Sequence, residues 1–363
     1  MASINTLIKP THECNMICSY CFHEKYGYDN GIIEMNKLKK YIKLLSKKYD
    51  VINLVWHGGE PLIMPLSYYE EIYDYCKKQS SRFIYSLQTN GTLLDQQKIN
   101  FFKTNNTSIG LSFDGLNNEL TRSHSKKIID NIKLLQENSI FPGAIMVVNQ
   151  FNVNDLIDNY NYFKTLNLGM KINPMFNDGA AKNNTLLYLN PDTYIDNFIT
   201  FFKYWANDKN CNICVSTFED LVNLIINENS EICTYSSCLG KWLCLDSNGC
   251  IYPCDRLCDD KHNLGNIINI QCIDEVFQNN NFISLLSDSI KRRNKCINEC
   301  EYYNSCYAGC NANALLGKNN DNISCYMHKK ILQEIKKYIS ESHNDIENMN
   351  SNYTKLLCKN RRS

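Results

Sequence analysis

Cys14-Asn15-Met16-Ile17-Cys18-Ser19-Tyr20-Cys21-Phe22 is the stretch that most limits what this chain can become. Three cysteines with three and two residues between them, closed by an aromatic, form a loop short enough for three sulfurs to converge. Thiolates at such spacing suit soft metals, and a structural zinc site wants a fourth protein ligand. His12 and His23 stand nearby. A [4Fe–4S] cluster on three cysteines instead leaves one iron open to a substrate or cofactor. Buried or disulfide-bonded cysteines are the remaining reading.

The rest of the composition argues for metal. The 363 residues carry 19 cysteines, an odd number, which disfavours a disulfide framework. Cys14, Cys18, Cys21 and Cys76 are followed by none until Cys211, so two cysteine-rich regions flank a nearly cysteine-free middle. Lys and Arg number 38, as do Asp and Glu, and nothing in that balance points to nucleic acid or a membrane surface. An apolar run of about eighteen residues and a signal peptide are both missing, so a cytoplasmic protein is expected.

Hydrophobic periodicity predicts alternating elements. Residues 4–9 read as a strand, 35–47 as a helix with Met35, Leu38, Tyr41, Ile42 and Leu45 on one face, and 51–56 as a buried strand. Helices are expected over 66–78, 94–103, 125–137 and 154–166, and strands over 83–89, 109–113, 144–149 and 170–174. Asp95 and Asn152 are expected at helix starts. Six strands alternating with helices imply right-handed βαβ units and a parallel sheet. An eight-unit barrel needs about 250 residues, so six units suggest an incomplete barrel or a doubly wound sheet. Either places ligands at the C-terminal ends of the strands. The polar motifs fall there: the cysteine loop, His57-Gly58-Gly59-Glu60-Pro61, Gln88-Thr89-Asn90-Gly91, and Ser112-Phe113-Asp114-Gly115 with Arg122 beyond. Each alone reads as a turn; four consecutive strand ends do not.

Together these motifs resemble the radical S-adenosylmethionine (SAM) superfamily. The resemblance implies an α/β fold, a partial (β/α)6 TIM-like barrel, with a [4Fe–4S] cluster that binds SAM at its open iron. Carried over, Cys14, Cys18 and Cys21 are the cluster ligands. Gly58, Gly59 and Glu60, with His57 before them, look like contacts to the methionine amine. Ser112 and Arg122 look like ribose or carboxylate contacts, and Phe22 sits beside the adenine.

The C-terminal third looks like a second metal-binding module. Asp246-Ser247-Asn248-Gly249 reads as the turn of a β-hairpin that delivers Cys254. The layout resembles the SPASM domain, a small cysteine-rich unit with a β-hairpin and helices that holds two auxiliary [4Fe–4S] clusters. The family's crossing ligation assigns Cys296, Cys300, Cys306 and Cys325 to one cluster and Cys310 to the other, together with Cys254, Cys233 and Cys238. Cys244 competes for one of those places. Cys250, Cys258 and Cys272 are left as non-ligands, with burial the default for a free cysteine, and paired zinc knuckles are the competing reading. Cys211 and Cys214 form an isolated pair, read as structural or redox-sensitive. The expected organisation is a barrel over 1–190, a helical bridge over 191–230, the SPASM domain over 231–330, and a C-terminal helix and tail over 331–363.

Such enzymes generate a 5′-deoxyadenosyl radical that takes hydrogen from an unactivated carbon. A proton acceptor is also wanted, and Asp255, beside Cys254, is the candidate, as in the sulfatase-maturating enzymes the chain resembles. Gln88 is expected at the same mouth. The implied function is oxidative modification of a peptide or protein side chain, such as a thioether or carbon–carbon crosslink on a ribosomally made peptide. The alternative is anaerobic sulfatase maturation, forming formylglycine from cysteine or serine. A non-catalytic iron–sulfur electron carrier is the reading from a different class. Implied partners are the peptide or protein substrate, an external one-electron donor of flavodoxin or ferredoxin type, and a separate leader-binding protein. There is no room before Cys14 for a leader-binding domain.

Overall fold

The computed structural model describes residues 1–23, 31–228, 232–315, 320–341 and 349–354. Its strands are β1 (Ser3–Ile8), β2 (Val51–Trp56), β3 (Arg82–Thr89), β4 (Ser108–Ser112), β5 (Gly143–Val148), β6 (Gly169–Pro174), β7 (Trp242–Leu245) and β8 (Ile251–Tyr252). The expected alternation holds, with each of the first six strands within about two residues of its predicted bounds. The chain forms two compact units, one of residues 1–112, 122–142 and 238–290, the other of residues 113–121, 143–237 and 291–363.

In the first unit β1 to β4 lie side by side and parallel. Ile52, Leu54 and Trp56 of β2 are buried, against alternating half-buried neighbours. Helix Met35–Ser46 contributes Leu38, Tyr41, Ile42 and Leu45, as its spacing predicts. Asp95 caps helix Gln96–Thr104 by accepting from the Lys98 amide at 2.8 Å. The predicted hairpin is present, with the Gly249 amide donating to the Asp246 carbonyl at 2.8 Å. Its first strand, β7, also pairs in parallel with β1, so residues from far along the chain extend the same sheet. Cys244 is fully buried within β7, and Cys258 packs beside it.

In the second unit β5 and β6 pair in parallel. Helix Pro191–Asn207 starts with Asn190 accepting from the amides of Asp192 and Thr193 and with proline in its first turn. Phe198, Phe201, Phe202 and Trp205 converge on Phe218 of helix Ser216–Asn227, with ring centroids 4.7 to 5.3 Å apart. Tyr338, on helix Asn320–Glu341, packs 5.7 Å from Phe202. Among the described residues, no helix is long and apolar enough to cross a membrane.

Two local expectations fail. Asn152 does not cap the next helix, which begins at Leu156 after a short 3₁₀ turn. Its side chain turns back, accepting from the Asn149 amide and donating to the Val147 carbonyl, and so closes the exit from β5. Cys272 is exposed rather than buried. It lies just before helix Asp274–Gln278, where its thiol meets Asp274.

Asp208, at the end of helix Pro191–Asn207, ties that helix to Leu156–Thr165. It accepts from the Tyr160 hydroxyl at 2.7 Å and from Lys164 Nζ at 2.5 Å. Partial burial works to raise its carboxyl, but those two donors hold it below the ordinary range. The stabilisation is therefore present above about pH 4 and lost as pH falls through the folded-state value. Asp208→Asn is expected to cost about 1–2 kcal/mol at pH 7, and urea titrations should show that gap narrowing as pH falls below the ordinary carboxylate range.

Candidate active site

The site in the first unit is assembled at the C-terminal ends of β1 to β4 and β7. Two backbone hydrogen bonds dock the loop after β2 on the segment leading into the cysteine loop: Gly59 N to Thr11 O at 3.1 Å and Glu60 N to Glu13 O at 2.8 Å. This approach requires glycine. A Cβ on Gly59 would stand 2.2 Å from the Glu13 carbonyl oxygen, and Gly58 has a φ of +112° with Thr11 O 2.7 Å from any Cβ. The paired glycines thus have a structural duty to the cysteine loop as well as any duty to a ligand.

Glu60 is fully buried and ties β2 to β3. Its Oε1 accepts from the Leu62 amide and the Thr89 hydroxyl, and its Oε2 from the Asn90 amide at 2.8 Å. Burial pushes the carboxyl above its ordinary range while these donors pull it back. A carboxylate accepts at about four positions, so Oε2 keeps capacity for an ammonium donor.

The cysteine loop is held by side-chain amides from two of the strand-end motifs. Asn90 Nδ2 donates to Asn15 Oδ1 at 2.8 Å and lies 4.0 Å from Cys14 Sγ, while Asn15 Nδ2 donates to Thr92. Cys18 and Cys21 are joined by a backbone bond of 3.1 Å. The Cys14 thiol is pushed up to about 11, by burial first and also by Glu60, Cys18 and Cys21 around it. A Cys14 sulfur whose ionisation Cys18 and Cys21 oppose belongs to a donor set that a thiophilic cation relieves. The three cysteines therefore fit an iron–sulfur cluster.

Around this loop, Phe22 packs 4.2 Å from His23. Arg122 donates to the Tyr20 hydroxyl at 2.9 Å, and Gln88 donates to Ser112 Oγ at 2.9 Å. His57, Asp255 and His23 come together, with ligating atoms all within 4.8 Å of one another. Burial lowers the His57 imidazole below its ordinary range, with Asp255 opposing and Lys9 adding to the shift. Cys254 Sγ lies 3.5 Å from Asp255 Oδ1. Lys9, at the end of β1, is fully buried with Nζ on the Asp255 carbonyl and on Cys258 Sγ. His12 pairs with Asp246 at 2.5 Å, fixing the cysteine loop's entry to the hairpin. Lys9 and Tyr20 belong to no motif of their own; adjacency to motif residues is the only signal the sequence carries for them.

Of the other expected ligands, Cys238 lies in the first unit and Cys233 and Cys310 in the second. The second unit holds a separate cysteine site. Cys296, Cys300, Cys306, Cys310 and Cys325 line one cavity together with His328. The Cys306 thiol is pushed up to about 12 by burial, then by Cys325, Cys300 and Cys296. Cys296 stands on the last turn of helix Asn280–Glu299, and the Cys300 amide just beyond it donates to the Cys296 carbonyl at 2.9 Å. Arg292 braces the opposite wall through the carbonyls of Gly309 and Cys310.

Gly59→Ala is expected to loosen the cysteine loop while leaving the rest of the unit folded. Iron held by Cys14, Cys18 and Cys21 should fall, and SAM cleavage should drop by at least about tenfold, ~1.4 kcal/mol. Unchanged iron and cleavage would remove the glycine from this role.

Residues 8–163 match the Radical SAM superfamily model. Over 361 residues the chain is 27% identical to the cysteine-type anaerobic sulfatase-maturating enzyme of Clostridium novyi, covering 92% of this chain and 96% of that one. It is 26% identical to the serine-type enzyme of Bacteroides thetaiotaomicron, covering 85% and 82%. A solved structure, native anSMEcpe with bound AdoMet and Kp18Cys peptide, superposes with a TM-score of 0.83 at 24% identity over 94% of this chain and 99% of that one. SuiB of Streptococcus suis bound to precursor peptide SuiA shares the fold with a TM-score of 0.62 at 16% identity, over 88% and 74%. With the three-cysteine loop and the strand-end motifs in place, residues 8–163 of the chain form a Radical SAM domain.

Proposed function

We propose that the protein oxidises a cysteine or serine side chain of a protein substrate to formylglycine, as the names of its sulfatase-maturating relatives suggest. The observation that carries this is Asp255 beside Cys254 at the strand ends, in a chain alignable with both cysteine-type and serine-type maturases over most of its length. Cys14, Cys18 and Cys21 hold the SAM-binding cluster, and Cys296, Cys300, Cys306 and Cys325 an auxiliary one. Glu60, Gly58 and Gly59 would hold the methionine amine of SAM, Ser112 and Arg122 its ribose or carboxylate, and Phe22 would lie beside its adenine. Bound there, cluster and cofactor supply a primary carbon radical able to take a hydrogen atom from an unactivated C–H bond.

The chain's own residues do the rest. The substrate Cβ gives up one hydrogen atom, and the thiol or hydroxyl proton passes to Asp255. Loss of the second electron, for which a cluster on Cys296, Cys300, Cys306 and Cys325 would be the acceptor, would leave a C=S or C=O bond. Water then converts the thioaldehyde to the aldehyde with loss of hydrogen sulfide. Gln88, fixed by Ser112, orients the substrate. A crosslinking reaction on a ribosomally made peptide is the second reading. It is favoured by His57, which stands before Gly58 where a glutamine is expected of sulfatase maturases. An external one-electron donor serves either.

Reconstituted anaerobically, the protein should convert a cysteine-bearing sulfatase segment to an aldehyde detectable by mass spectrometry, with 5′-deoxyadenosine formed alongside. A crosslinked peptide and no aldehyde would favour the second reading, and no 5′-deoxyadenosine from an iron-replete sample would sink both. Asp255→Asn should lower product formation by about 10²–10⁴-fold while the cofactor is still cleaved; unchanged product would exclude Asp255.

A further inference from the structure

His23 follows the cysteine loop, His57 follows β2, and Asp255 follows the hairpin, yet the fold brings two imidazoles and a carboxylate to one point. Each offers a ligand atom, and all three atoms lie within 4.8 Å of one another. The His23 and His57 ring centroids are 5.5 Å apart and the rings tilt by 38°. The Nδ1 of His57 is buried and has no hydrogen-bond partner among the described residues. Burying such a nitrogen is costly unless something binds it.

We propose that His23, His57 and Asp255 bind a divalent metal ion of the zinc class, distinct from the iron–sulfur clusters. Two nitrogens and one oxygen suit Zn2+, which takes these donors at about 2.0–2.2 Å, so tetrahedral ligands stand about 3.4 Å apart. Closing the triad around an ion therefore requires side-chain rotation of about 1 Å. Three protein ligands leave a fourth position open, the pattern of a site that binds substrate rather than one that only braces a fold. Nearby sulfurs do not complete it: Cys254 is assigned to a cluster, and Cys258 receives the Lys9 ammonium at 3.1 Å.

In one respect the inference rests on the reading above. A substrate thiol or hydroxyl entering the open position would be bound as its anion, its proton released to solvent, with no change of oxidation state. With the ion bound, Asp255 would promote proton removal through the metal it ligates, in place of the direct transfer to its carboxylate given above.

The test uses the full chain with its clusters reconstituted anaerobically, equilibrated with Zn2+ and passed through a desalting column. About one tightly bound zinc per chain is expected. Zinc-edge X-ray absorption should show a shell of nitrogen and oxygen at about 2.0 Å. His57→Gln, His23→Ala and Asp255→Asn should each weaken zinc binding by about tenfold or more, with iron content unchanged. A zinc shell of sulfur at about 2.3 Å would assign the ion to cysteines and overturn the proposal, as would absence of zinc or zinc that survives all three substitutions. Because neither substrate nor SAM is present, failure here leaves formylglycine formation standing, and failure to oxidise a peptide leaves the zinc measurement standing.

Discussion

The first unit depends on a main-chain contact in which no side chain takes part. The amides of Gly59 and Glu60 reach the carbonyls of Thr11 and Glu13, and that approach sets how closely the loop after β2 can lie on the cysteine loop. One methylene would break it, since any Cβ at Gly59 would overlap carbonyl oxygen. Glu60 extends the same contact by bonding Thr89 and Asn90, and Asn90 in turn bonds Asn15. Three strand ends are thereby locked before any cofactor arrives, which is the preorganisation that a radical reaction needs.

The buried thiols show what that rigidity costs. Cys14 and Cys306 are held near other sulfurs in surroundings that disfavour the thiolate. Without a cation this is an unfavourable packing of weak acids. With one, the same convergence becomes a chelate whose ligands need little further ordering. A cation bound to such a set would therefore link stability to metal content.

Much of this was legible in the sequence because local patterns and strand-end chemistry agree. The period of two in Ile52, Leu54 and Trp56 and the helical face of Leu38, Tyr41, Ile42 and Leu45 need only local spacing to be read. The three-cysteine loop and Gly-Gly-Glu-Pro announced the site. What stayed hidden depends on distant partners. Nothing local says that Trp242–Leu245 pairs with β1, that Lys9 is buried among groups from residues 246–258, or that His23 meets His57 and Asp255. Asn152 misled for a related reason: the sequence shows a side chain able to cap, while the strand it follows claimed the bonds first. The five cysteines around His328 were legible as a set, but the cavity they share required the folded helices.

The pairing of β7 with β1 also bears on the order of assembly. Residues 3–8 have a sheet neighbour on one side from residues 51–56, but on the other only once residues 242–245 exist. Such long-range closure is slow, and during synthesis it must wait until about two-thirds of the chain has been made. Until then the cysteine loop lacks the hairpin carboxylate, Asp246, that pairs with His12 at its entry. A nascent chain would thus present the three sulfurs beside an unfinished sheet edge until the hairpin arrives.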